Sequence, residues 1–221
     1  MLDVIEAETG DHPTATILIL HGLGADGNDF VPVAEELQLD RVGPVRFLFP
    51  HAPEIPVTIN NGYRMRAWYD VLSFDADAPQ DEAGLRRSQA LVEALLAREE
   101  QRGVAPERIV LAGFSQGCAM ALLAGVRHKQ RLAGITGLSG YLPLADTTAT
   151  ERAPANQQTP IFLAHGTHDE IVALERGEQS RDALQALGYS VEWHEYLMGH
   201  SVSPLEIEEW NDWLLRVLAP A

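Results

Sequence analysis

Apolar residues in this chain fall in short runs, and between the runs they recur at helical spacing. Thr16-Ile17-Leu18-Ile19-Leu20 is continuous rather than alternating, which predicts a strand covered on both faces. Val45-Arg46-Phe47-Leu48-Phe49, Arg108-Ile109-Val110-Leu111-Ala112, Leu132 to Leu138 and Ile161-Phe162-Leu163-Ala164-His165 read the same way. Leu2 to Glu6 predicts a short edge strand, and Ser190 to Tyr196 alternates as a strand does. Helical spacing appears at Phe30-Val33-Ala34-Leu37. It returns from Glu82 to Gln101, with Leu85, Leu91, Val92, Leu95 and Leu96 on one face, and around Leu174 to Leu187. A last helix opens on a capping box, with Ser203 at the cap, Pro204 at the first helical position and Glu206 at the third. This βα alternation predicts an α/β fold, a mostly parallel central sheet with helices on both faces. Tyr141 to Thr159 is polar and holds Pro, and reads as a surface excursion rather than a large cap domain. From His51 to Pro79 breakers interrupt the pattern, and Tyr63 to Asp70 within it reads as a small hairpin or an extended arm. No repeat or long linker divides the chain, so residues 1–221 are expected to form one domain.

One junction carries more than pattern. Gly113-Phe114-Ser115-Gln116-Gly117 is a G-x-S-x-G sequence directly after a predicted strand and before helix formers from Cys118 to Ala124. Strand, sharp turn and helix are the setting of a nucleophile elbow, in which a strained serine is pushed out at the end of the sheet. Glycines flank it because neighbouring chain passes too close for a Cβ.

A serine hydroxyl needs a base to take its proton. Of the eight histidines, His200 lies between the last strand and the last helix, at the same carboxyl edge of the sheet as Ser115. His165, His168 and His21 also stand near strand ends. His194 sits inside a strand pattern, and nothing recommends His12, His51 or His128. The orienting carboxylate is expected at Asp169, in the loop His165-Gly166-Thr167-His168-Asp169 after a buried strand, with Glu170 as runner-up. Asp169 also suits a plain helix N-cap. The chain order Ser115, Asp169, His200 is that of the α/β-hydrolase arrangement.

For an oxyanion hole the elbow offers the backbone N–H of Gln116. The loop His21-Gly22-Leu23-Gly24-Ala25-Asp26-Gly27 offers that of Leu23. Gly22, Gly24 and Gly27 also satisfy G-x-G-x-x-G by number. Yet Phe49-Pro50-His51-Ala52-Pro53 stands where a dinucleotide site needs an acidic residue after the second strand, so that match is taken as coincidence and no cofactor is expected. No cluster has metal-ligand spacing, so no metal is expected. Cys118 reads as a small buried residue.

Composition narrows the partners. The 221 residues include 32 Asp and Glu against 16 Lys and Arg, a formal net charge of −16. That balance repels nucleic acid and anionic membrane surfaces. One cysteine excludes an intramolecular disulfide. The N-terminal stretch has no signal-peptide character and no run approaches a membrane span, so a cytoplasmic protein without stable membrane insertion is expected.

Gly113-Phe114-Ser115-Gln116-Gly117, the loop from His21 to Gly27, Pro50-His51-Ala52-Pro53 and Met65-Arg66-Ala67-Trp68-Tyr69-Asp70 together resemble the phospholipase/carboxylesterase family. The family includes acyl-protein thioesterases and small carboxylesterases. His165 to Asp169 and Gly199-His200-Ser201 fall where its other triad motifs are expected. The chain departs from the pattern at His168, where the family's Gly-x-x-Asp loop usually carries Asp or Glu. The resemblance implies a compact α/β-hydrolase acting on short- to medium-chain carboxylic esters through a Ser-His-Asp triad and an acyl-enzyme. The alternative is an acyl-protein thioesterase or lysophospholipase on longer acyl chains, and the rival from another class is a non-catalytic hydrolase-fold binding protein. Apolar groups between Gly62 and Phe74, notably Met65, Trp68 and Leu72, are expected on the substrate side. The partner is a small-molecule ester or acyl substrate, and oligomeric state is not legible.

Overall fold

The structure, a computed structural model, describes residues 2–73 and 78–219. Its strands in chain order are β1 (Val4–Glu8), β2 (Ala15–Leu20), β3 (Val45–Pro50), β4 (Glu54–Val57), β5 (Tyr63–Arg66), β6 (Ile109–Phe114), β7 (Gly134–Leu138), β8 (Ile161–Gly166) and β9 (Val191–Tyr196). The helices are α1 (Val31–Glu36), α2 (Glu82–Gln101), α3 (Gln116–Gly125), α4 (Ala145–Glu151), α5 (Leu174–Ala186) and α6 (Pro204–Val217). The main sheet runs β1-β3-β2-β6-β7-β8-β9, with β1 antiparallel to β3 and every other pair parallel. β4 and β5 form a separate antiparallel hairpin.

The continuous apolar runs do what their composition demands. In β2, Leu18 and Leu20 point to one layer, shared with α2, α3 and Leu184 of α5. Ile17 and Ile19 point to the other, shared with α1 and with Trp210, Trp213 and Leu214 of α6. The inner strands β2, β3, β6, β7 and β8 are thus buried on both faces, and the helices fall on both sides. A parallel sheet needs that cover, because strands joined by crossover helices expose no face to water. No helix among the described residues is long and apolar enough to cross a membrane.

Most predicted elements stand within a residue or two of their observed bounds. Two differ. The excursion from Tyr141 to Thr159 contains the short helix α4, which no apolar stripe announces: of its seven residues only Thr148 is buried. In the segment Tyr63 to Asp70 only the first half is strand. It pairs back with Glu54–Val57, while Ala67, Trp68 and Tyr69 leave the hairpin and enter the core.

The sheet's parallel order sends the ends of β2, β6, β8 and β9 to the same edge. The loops beginning at His21, Ser115, Thr167 and Leu197 therefore converge there.

Candidate active site

Ser115 occupies φ 56°, ψ −117°, a conformation L-residues rarely adopt. Its N–H donates to Leu138 O of the neighbouring strand at 2.9 Å, and helix α3 starts at the next residue. The turn is tight enough to dictate its flanks. A Cβ on Gly113 would lie 2.1 Å from Gly117 O, and one on Gly117 would lie 2.0 Å from Leu20 O. Both glycines of G-x-S-x-G are therefore required by close approach of backbone.

The histidine and the aspartate arrive from separate loops that are stitched together. Thr167 N–H donates to Tyr196 O at 2.8 Å and His168 N–H to Met198 O at 3.0 Å, which fixes the β8 loop against the β9 loop. Across that seam His200 Nδ1 lies 2.7 Å from Asp169 Oδ2, and His200 Nε2 lies 2.8 Å from Ser115 Oγ. A carboxylate only accepts, so Nδ1 carries the ring proton and Nε2 accepts from the serine hydroxyl. The other carboxylate oxygen, Asp169 Oδ1, accepts the N–H groups of Ile171 and Val172, each at 2.9 Å. Asp169 is thus both turn anchor and imidazole partner, and its side chain is fully buried. Phe114 packs on the His200 ring at 4.8 Å between centroids.

The remaining histidines separate from this group. His165 is buried beside Asp169, its Nε2 donating to Val172 O at 2.8 Å and lying 3.5 Å from Asp169 Oδ2. Burial lowers its pKa. His168 and Glu170 are exposed. His194 stacks on Phe162 and pairs with Glu192 and Glu209. His21 donates from Nδ1 to Gly22 O at 2.7 Å and accepts Ala52 N–H at Nε2 at 3.0 Å, so its tautomer is fixed and burial lowers its pKa. His21 is a brace for the glycine loop.

That loop approaches the elbow closely: a Cβ on Gly22 would lie 3.3 Å from Ser115 Cβ. Among the described residues, no acceptor takes the N–H of Leu23 or of Gln116. Both are backbone donors beside the serine, and Gln116 is also the first residue of α3, where the helix dipole favours negative charge.

A cleft open to solvent lies over Ser115 and Gln116, with Leu23, Leu72, Ile171 and Val172 among its apolar walls. Leu72 is on the wall. Met65 and Trp68 are not. Trp68 is 2% exposed, and its indole N–H donates to His21 O at 2.9 Å. Met65 Sδ would sit 3.7 Å from a Cβ on Gly24, whose N–H donates to Arg66 O. These two residues support the glycine loop from beneath, because the hairpin folds under it rather than across the cleft. Phe74 lies outside the described residues.

Sequence reasoning missed the side chain of Gln116. Its Oε1 accepts Trp68 N–H at 2.7 Å and its Nε2 donates to Tyr69 O at 2.8 Å, tying the elbow to the segment that braces the loop. A polar residue opening an otherwise apolar helix was the available signal. Burial pushes the Cys118 thiol up, so it is not the nucleophile of this site. Among the described residues no group of three or more His, Cys, Asp or Glu is placed to hold a metal ion.

Residues 3–217 match the family model described as Phospholipase/Carboxylesterase. The chain is 42% identical over 216 residues to acyl-protein thioesterase 1 of Gibberella zeae, covering 94% of this chain and 92% of that one. It is 42% identical over 206 residues to acyl-protein thioesterase 1 of Yarrowia lipolytica, covering 91% of each. Among solved structures, Zea mays acyl-protein thioesterase 2 superposes with a TM-score of 0.85 at 32% identity, covering 99% of this chain and all of that one. The fold is that of an α/β-hydrolase with serine-hydrolase architecture. Within that class the chain belongs to the phospholipase/carboxylesterase family of hydrolases.

Proposed function

We propose that this protein hydrolyses acyl thioesters and esters through an acyl-enzyme on Ser115, as an acyl-protein thioesterase-like hydrolase. The observation that carries the reading is the unbroken chain Ser115 Oγ, His200, Asp169 at 2.8 and 2.7 Å beside two unclaimed backbone N–H groups. His200 Nε2 takes the hydroxyl proton as Ser115 attacks the acyl carbonyl. Asp169 holds the ring in the accepting tautomer and stabilises the imidazolium that forms. The N–H groups of Leu23 and Gln116 receive the oxyanion, each a contribution of about 10²–10³ in rate at sites of this kind. His200 then gives its proton to the departing thiolate or alkoxide, and the same groups run in reverse with water to release the acid.

The thioesterase reading is favoured over a preference for short carboxylic esters by the curated relatives, both named acyl-protein thioesterase 1. Carboxylic ester hydrolysis uses the same steps, so kinetics must rank the two. The test compares kcat/KM on a long-chain acyl thioester, a short p-nitrophenyl ester and a lysophospholipid. The account expects the thioester to be the best of the three and Ser115→Ala to abolish all three. A short ester preferred by tenfold or more would return the reading to a small carboxylesterase. Binding without turnover of any would make it a hydrolase-fold binding protein.

A further inference from the structure

Arg176, on α5, stands on the wall of the same cleft with its Cζ 3.6 Å from the centre of the Tyr141 ring. The Tyr141 hydroxyl is hydrogen-bonded to the Tyr69 hydroxyl at 2.8 Å, and the Tyr69 carbonyl accepts from Gln116. The arginine is therefore mounted on a wall tied to the residue next to the nucleophile. Stacking on a ring occupies the face of a guanidinium and leaves its N–H edge free to form a fork.

Among the described residues no carboxylate pairs with Arg176 and no acceptor takes its side-chain N–H groups. Several other sheltered arginines in this acid-rich chain are paired with carboxylates, Arg46 with Glu8 and Glu99, Arg86 and Arg127 with Glu151, while Arg66, Arg108 and Arg152 donate to backbone carbonyls. Among the described residues lining the cleft, Arg176 is the only Arg or Lys. Among the described residues lining the cleft, the carboxylates Asp70 and Asp81 are occupied elsewhere. Asp70 accepts from Thr58 N–H and hydroxyl, and Asp81 accepts from Gly84 and Asp70 N–H groups. They also border a neighbouring hollow with Ile55 and Pro56, whereas Arg176 borders a different one with Leu142 and Ala145.

We propose that Arg176 makes this cleft favour acyl substrates bearing a terminal carboxylate over neutral ones of the same length, such as half-esters or half-thioesters of dicarboxylic acids. The inference rests on the cleft being the acyl site argued above. The guanidinium edge meets a carboxylate through two parallel N–H···O bonds, a geometry that lysine cannot reproduce. Leu23 and Val172 supply apolar contact for the methylenes between the two ends.

The experiment compares p-nitrophenyl hexanoate with the mono-p-nitrophenyl ester of adipic acid, matched in length and differing in the terminal carboxylate. The anionic-to-neutral ratio of kcat/KM is measured for the parent, Arg176→Gln and Arg176→Lys. The expected result is a fall of about tenfold or more in that ratio for Arg176→Gln, carried mainly by KM, with partial recovery in Arg176→Lys. An unchanged ratio would overturn the proposal. Calorimetry of monomethyl adipate on Ser115→Ala protein, with and without Arg176→Gln, reads the arginine without turnover. Weaker binding in the double variant supports the proposal, and equal or absent binding in both overturns it. Failure of the catalytic reading is seen separately, as ester turnover that survives Ser115→Ala.

Discussion

Asp169→Asn is the substitution whose consequence the structure specifies most fully. Asp169 Oδ1 accepts two backbone N–H groups, from Ile171 and Val172, while Oδ2 faces His200 Nδ1. Asparagine has one oxygen and one NH₂ for these two places. If the oxygen keeps the two N–H donors, the NH₂ must face His200, and the ring is forced to carry its proton on Nε2, where it can no longer accept from Ser115. Turning the amide over restores the productive tautomer but leaves both backbone donors unmade in a buried site. Each costs about 1–3 kcal/mol, so the flipped form lies about 2–6 kcal/mol higher. At about 1.4 kcal/mol per factor of ten, the productive form is populated at roughly one part in 30 to one part in 10⁴.

With the wrong tautomer inert, the expected kcat therefore falls by about 30-fold to 10⁴-fold. The fold should survive, because the turn's two hydrogen bonds persist and lose only their charge assistance, a cost of about 1–2 kcal/mol. Steady-state hydrolysis of a neutral ester and a denaturant melt on the same preparation measure both quantities. Turnover within tenfold of the parent, still abolished by Ser115→Ala, would refute the reasoning. It would mean that the carboxylate does not set the imidazole tautomer.

Two further outcomes follow from groups outside the triad. Gln116→Ala leaves Trp68 N–H and Tyr69 C=O without partners in a buried setting, so stability should drop by about 2–4 kcal/mol in chemical denaturation, with kcat falling as the elbow loosens. A loss below about 0.5 kcal/mol would show that water replaces the amide there. Glu206 is buried with Oε1 unpartnered, and burial raises its pKa to about 8. A carboxyl raised in the folded state contributes stability below its unfolded value near 4.5 and loses it as pH climbs toward 8. Glu206→Gln keeps an acceptor for the capping box and removes that loss. The variant should gain on the parent from pH 5 to pH 8 by roughly 1.4 kcal/mol per pH unit at most. Parallel stability curves for the two proteins would contradict this.

Chemistry that depends on backbone order was legible before any coordinates. The strand, turn and helix around Ser115, the loop after β8 and the loop after β9 are local patterns, and a parallel sheet sends their ends to one edge whatever the intervening detail. Hence Ser115, Asp169 and His200 could be named from position, and the structure brings them within hydrogen-bond distance. Side-chain destinations in the irregular segment were not legible. Whether Trp68 faces a cleft or a core depends on how the β4–β5 hairpin folds back, which no periodicity encodes. The wall of Tyr69, Tyr141 and Arg176 joins residues distant in sequence, from the β5 segment, the β7 loop and α5, and only tertiary packing reveals it. The helix α4 escaped for a simpler reason: it buries little, so selection for an apolar stripe is absent.

The central claim is that Ser115 becomes acylated during turnover. Intact-protein and peptide mass spectrometry after treatment with a fluorophosphonate, and after brief mixing with a slow-deacylating ester, reads it directly. The account predicts a single adduct on the peptide containing Ser115 in both experiments, lost in Ser115→Ala and slowed in Asp169→Asn. Ester or thioester turnover with no adduct on Ser115, or with the adduct on another residue, would contradict it.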